Sequence, residues 1–104
     1  MTQVRISDEA QAQARILDTW WGENRPAAPA LFAREFGRAV SLLGSAPEAG
    51  ALFRRSAIPG VRRIVLQRSR NLVFYVFDRS SDTVHILAVW GGPRGTDSVL
   101  VEPR

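Results

Sequence analysis

The chain has no cysteine and no lysine, a single histidine, a single tyrosine, and no apolar run near the ~20 residues that span a bilayer. Each absence removes a class of chemistry. Without cysteine there is no disulfide framework and no thiolate nucleophile, and cysteine usage gives no clue to compartment. The one histidine, His85, sits mid-strand between Val84 and Ile86, and the carboxylates are scattered. Neither a Ser–His–Asp arrangement nor a metal cluster assembles from such a set, and no cofactor is expected. The polar opening MTQVRISDEA lacks the apolar core of a signal peptide. The expected location is therefore the cytoplasm, with no membrane partner.

Acidic residues are missing from one long stretch. All 14 basic residues are arginine and the formal net charge is +4. Between Glu48 and Asp78 there is no carboxylate, yet Arg54, Arg55, Arg62, Arg63, Arg68 and Arg70 all fall there. Guanidinium pairs bidentately with phosphate or carboxylate, which ammonium does not. The stretch points to an acidic partner, either nucleic acid or an acidic protein segment.

A chain of 104 residues with 45% apolar content is expected to form a single domain over residues 1–104 with a real core. Its organising stretch is Ile58–Trp90. Val61–Gln67, Leu72–Phe77 and Val84–Trp90 are rich in Val, Ile, Phe and Tyr, and short polar segments separate them. An antiparallel meander follows. In the second strand both alternating sets, Leu72, Phe74, Val76 and Val73, Tyr75, Phe77, are apolar, so both faces of the sheet need cover. In the first strand Arg63, Val65, Gln67 is more polar than Arg62, Ile64, Leu66. That alternation places Arg63 on the open face and Arg62 at the rim of the core. Tyr75 reads as a core residue.

The segments before the meander supply the cover for one face. Gln3–Ile6 fits a short first strand. Ser7 is a good N-cap with Asp8 and Glu9 behind it, and Ala10, Ala14, Leu17 and Trp21 then recur at helical spacing. Gly22 is the expected stop. Trp20 and Trp21 leave a helix about 100° apart, so one of them is expected at its edge as a partner anchor. Pro29 fits the first turn of a second helix that carries Leu31, Phe32, Phe36, Ala39, Val40 and Leu43 and ends at Gly44. Ser45–Gly60 reads as a loop. Beyond Trp90, Gly91-Gly92-Pro93-Arg94-Gly95 cannot continue a regular strand, and Ser98–Val101 is expected as a last short one. The expected architecture is α+β: a strand, a helical hairpin, then a mostly antiparallel sheet of three to four strands, with the helices on one face. The other face is left for the C-terminal tail or a partner chain.

Four stretches in this order resemble the RelE/ParE family of toxins from bacterial type II toxin–antitoxin modules: VRISDEAQAQARILDTWW, NRPAAPALFAREF, PEAG with GVRRIVLQRSRNLVFYVFD, and VHILAVWGGPRG. The second is similar to the second helix of the ParE branch. The resemblance implies a cytoplasmic, plasmid-stabilising toxin, held in a hetero-oligomer by a cognate antitoxin. Its two branches act differently. ParE-like members inhibit DNA gyrase, whereas RelE-like members cleave mRNA on the ribosome. For the RelE chemistry, Arg63 and Arg94 match family positions, while Asn71 and Leu100 stand where an arginine and a tyrosine are expected. Trp90-Gly91-Gly92-Pro93 replaces the histidine-containing turn. The resemblance therefore implies a ParE-like gyrase inhibitor with no confident catalytic residue. The alternatives are a RelE-like endoribonuclease, using Arg63 and Arg94, or a non-toxic antitoxin-binding relic. The residues expected to bind target or antitoxin are Trp20, Trp21, Arg54, Arg55, Arg63, Arg68, Arg70, Trp90 and Arg94.

Overall fold

The computed structural model describes residues 1–91. Arg94, Leu100, most of the glycine-rich segment after Trp90 and the expected strand at Ser98–Val101 lie outside the described residues.

The elements run β1 (Gln3–Ile6), α1 (Asp8–Asn24), α2 (Leu31–Ser45), β2 (Ala51–Leu52), β3 (Arg62–Leu66), β4 (Asn71–Asp78) and β5 (Thr83–Gly91). They form one five-stranded sheet in the order β1-β5-β4-β3-β2. Strands β2 to β5 pair antiparallel as a meander, and β1 joins the β5 edge in parallel, Val4 against Val84. The fold is α+β and mostly antiparallel, as the apolar patterning implies. The additional strand is Ala51–Leu52, within the segment expected as loop. Two residues are too few to show an alternation.

Helix α1 starts where the capping residues place it. The Ser7 hydroxyl accepts the Ala10 N–H at 3.0 Å. It does not stop at Gly22. It runs two residues further, to Asn24. It closes where the Asn24 amide donates to the Trp20 carbonyl and the Arg25 N–H to that of Trp21. Helix α2 begins two residues after Pro29 and runs one residue past Gly44.

The helices bury one face of the sheet. Phe32, Ala39 and Leu43 from α2, with Ala10 and Trp21 from α1, pack with Leu66, Val73, Tyr75, Val84, Ile86 and Val89. The opposite face holds a second, smaller cluster of Val61, Phe74 and Ala88, flanked by half-buried Phe53, Leu72, Val76, Leu87 and Trp90. A β-bulge shapes that face. Phe74 pairs with Ala88 and Tyr75 with Ile86, leaving Leu87 as the extra residue. Both Leu87 and Ala88 then serve the second cluster.

Tyr75 is fully buried, and its hydroxyl accepts the Gly50 N–H at 2.8 Å. Burial raises its pKa above the usual phenol value. Gly50 is the glycine this packing requires. A Cβ there would lie 2.8 Å from the Arg63 carbonyl oxygen and from the Tyr75 ring.

Candidate functional site

The six arginines that cluster in sequence do not form one patch. Arg54 and Arg55 lie in the turn after β2, beside the start of β3, because Leu52 pairs with Arg62. Arg68 and Arg70 lie in the turn at the other end of β3. Five strand residues at about 3.3 Å each separate the two ends. Arg62 and Arg63 lie at the Arg54/Arg55 end and leave opposite faces of the sheet.

Arg62 is structural. Its guanidinium donates to the Gly50 carbonyl at 2.7 Å and lies 3.6 Å from the Glu48 carboxylate, with its side chain 23% exposed. Arg63 is exposed and pairs across the ladder with Phe74, so it stands on the face away from the helices. Its guanidinium lies 5.6 Å from the Phe53 ring centre, a cation–π contact. Phe53 meets Phe74 edge-on at 5.0 Å, and Trp90 leans on Phe74 at 4.4 Å. The open face therefore carries an aromatic strip from Phe53 through Phe74 to Trp90, with Arg63 at one side and Val65, 42% exposed, beyond it. His85 is on this face too, but β4 lies between it and Arg63.

The second group sits at the end of the hairpin. Trp21 is buried and Trp20 half-buried, the two rings meeting edge-on at 5.8 Å. Both therefore join the core side, Trp21 fully and Trp20 at its margin. Arg25 lies over both rings, 5.2 Å from the centre of Trp20 and 5.8 Å from that of Trp21. Facing them is the β3–β4 turn, held from below by a buried carboxylate. Glu35, on the apolar stripe of α2, accepts the N–H groups of Arg68 at 2.9 Å and Ser69 at 2.8 Å. Burial acts to raise the Glu35 pKa. The Ser69 hydroxyl, the two N–H groups and the Arg68 charge outweigh it, so the carboxyl lies below its usual value.

Several residues of these two groups were not expected from the sequence. Phe53 and Phe74 carry the open strip, Arg25 covers the indoles, and Glu35 shapes the turn. Two of them left a signal: Phe74 belongs to the apolar set Leu72, Phe74, Val76, and Glu35 shares the helical stripe of Leu31, Phe32 and Ala39. Among the described residues no group of three His, Asp or Glu could hold a metal. No helix among them is long and apolar enough to cross a membrane.

A two-helix cover on one face of a short meander, with an aromatic strip and Arg63 left on the other, defines a small α+β domain, and comparison with solved structures narrows the class. A chain of the chromosomal ParDE toxin–antitoxin system from P. aeruginosa superposes with a TM-score of 0.66 at 22% identity, covering 88% of this chain and 96% of that one. The intact E. coli RelBE toxin–antitoxin complex gives 0.56 at 16% identity, covering 86% and 95%. The isolated E. coli RelE toxin gives 0.57 at 16% identity, covering 88% and 85%. At these identities the likeness is one of fold. No curated protein matches the sequence significantly. The model of the ParE toxin of type II toxin–antitoxin systems, parDE, matches residues 4–94. The chain belongs to that family.

Proposed function

We infer that the chain is a gyrase-directed toxin, acting in the cytoplasm and neutralised by a cognate antitoxin. Family membership supplies the class, and the open face carries the finer reading. An aromatic strip flanked by the exposed Arg63 suits a protein surface. Aromatic residues and arginine are the side chains that dominate protein–protein anchoring. The residues that Arg63 meets on this face, Phe53 and Phe74, are aromatic and offer no proton-transfer group, so the strip suits binding better than phosphodiester cleavage. Antitoxin would cover the hairpin and lie against the sheet, burying more than ~1,000 Å².

The deciding experiment sets purified chain against DNA gyrase supercoiling and, in parallel, against translating ribosomes. The expected result is loss of supercoiling with trapped DNA breaks, reversed by the product of the adjacent gene. Undisturbed supercoiling together with codon-phased mRNA cuts would instead establish the RelE-like activity. In that case Arg63 becomes a candidate for stabilising the pentacovalent phosphorane.

A further inference from the structure

The end of the helical hairpin and the β3–β4 turn enclose a cavity of about 410 Å³. Arg25 reaches it from the end of α1, and the turn brings Arg68, Arg70 and Asn71. Leu17 supplies an apolar side, and no carboxylate lines the cavity. Both ion pairs among the described residues are made by Glu48, beyond the other end of β3. The three guanidinium groups at the cavity therefore have no carboxylate partner there.

Two features mark the cavity as a binding site. Asn71 lines it and is 2% exposed, yet its amide Nδ2 has no hydrogen-bond partner among the described residues. Buried amides are nearly always paired, so this donor calls for an acceptor from outside the chain. Arg70 has φ 63°, in the left-handed region, where an arginine gains nothing. The turn is held in that shape from below. Glu35 accepts two of its N–H groups, and the Arg70 N–H donates to the Leu66 carbonyl at 2.7 Å. Strain that the surroundings over-determine in this way collects at functional positions.

Charge and shape select the occupant. Three guanidinium groups against the carboxylate of Glu35 leave two positive charges over. A nucleotide would match that charge but finds no stacking face for its base. The indoles of Trp20 and Trp21 meet at 74°, Trp21 is buried, and Arg25 already covers both rings. A lone inorganic anion leaves most of the cavity empty. Two carboxylate side chains of one peptide segment supply the charge, and their methylene stems fill the space beside Leu17. Guanidinium takes a carboxylate through two parallel hydrogen bonds. We propose that this cavity anchors an acidic segment of the antitoxin. Arg68 and Arg70 each take one of its carboxylates, and Asn71 Nδ2 donates to an oxygen of one of them. The anchor rests on the antitoxin reading above and gives it a second point of attachment, which the length of β3 separates from Arg63.

The test is calorimetric titration of the full chain with the purified product of the adjacent gene at about 0.15 M salt. Arg68→Gln and Arg70→Gln, both at exposed positions, should each weaken binding about tenfold, the loss expected for one hydrogen-bonded charge. Arg70→Gly suits the positive φ, so it should melt as wild type does and still weaken binding by the same factor. That variant separates the anchor from any effect on folding. Arg79→Gln, the same charge change in the β4–β5 turn at the other end of β4, should leave binding unaltered. Arg63→Ala combined with Arg70→Gln should multiply the two single losses to within about twofold, as distant sites do. A product that does not bind the wild-type chain removes the antitoxin reading and the anchor with it. A product that binds wild type and Arg70→Gly equally well overturns the anchor alone. Arg79→Gln weakening binding as much as Arg70→Gln would reduce the effect to net charge and also overturn it. So would displacement of the product by adenosine 5′-monophosphate but not by hexaglutamate, which would make the cavity a nucleotide site.

Discussion

The two faces of the one sheet differ in how they are buried, and that difference separates folding from function. On the helix side, Val73, Tyr75, Val84 and Ile86 are sealed by Phe32, Leu43 and Ala10, all at or near zero exposure. On the other side Phe74 and Ala88 are equally buried, yet their neighbours Leu72, Val76, Leu87 and Trp90 are only half-covered and Arg63 is exposed. A hairpin of two helices is as wide as one face of the meander. The second apolar face follows from strand composition, and nothing among the described residues completes its cover. Apolar surface left in this state marks an interaction site.

The largest expected contrast tests whether the second face is core or interface. Phe32→Ala removes a side chain that is 1% exposed, and such truncations cost about 3–5 kcal/mol. For a domain of this size that is a fall in melting temperature of roughly 15 °C or more. Trp90→Ala loses an aromatic contact with Phe74 and partial burial, about 1–2 kcal/mol. Thermal melts of both variants decide it. Equal losses would make the open face a second core and remove the reason to seek a partner there.

A middle-sized effect sharpens the comparison at the hairpin end. Glu35→Gln leaves one backbone N–H of the β3–β4 turn without its charged acceptor, at a cost of about 1–3 kcal/mol. The pH dependence has a definite sign. The folded-state pKa of Glu35 is lowered from 4.5, so its stabilisation is complete above that value and is lost as the pH falls through the lower, folded value. Urea unfolding of wild type should therefore show a loss as the pH falls below 4.5 that Glu35→Gln does not share. If the two proteins lose stability in parallel over that range, the turn is not held by an ionised carboxylate.

The sequence revealed the two faces more readily than it revealed the site. Strands β3, β4 and β5 were visible because β-branched and aromatic residues run between polar turns, and the facing of Arg63 followed from the polarity of Arg63, Val65, Gln67. The bulge at Leu87 was not visible. Every residue around it is apolar, so a slipped register looks the same as a regular one. Edge strand β2 is too short to carry a pattern. The six arginines looked like one cluster because sequence distance ignores the length of β3, which puts Arg54 and Arg55 at one end and Arg68 and Arg70 at the other. Asn71 was legible only as a turn residue. Its burial and its unpaired amide are properties of the tertiary packing, which no local pattern encodes.

The smallest stability effects give the sharpest test, because they set binding against folding at adjacent positions. Arg62 and Arg63 differ by one residue and one face. Arg62→Ala forfeits the hydrogen bond to the Gly50 carbonyl and packing around its stem, about 1 kcal/mol, while its contact with Glu48 contributes little at a partly solvated site. Arg63→Ala loses only an exposed contact over Phe53, and surface changes of this kind stay within about 0.5 kcal/mol. Melting temperature should therefore rank wild type and Arg63→Ala together, with Arg62→Ala below. Toxicity on expression and affinity for the antitoxin should rank the other way, with Arg63→Ala the more impaired. An Arg63→Ala protein that melts like wild type and remains as toxic, with its antitoxin affinity intact, would strip the open face of the role given to it. A low melting temperature for Arg63→Ala alone would mean that the register of β3 against β4 is displaced by one residue and that the two faces must be exchanged.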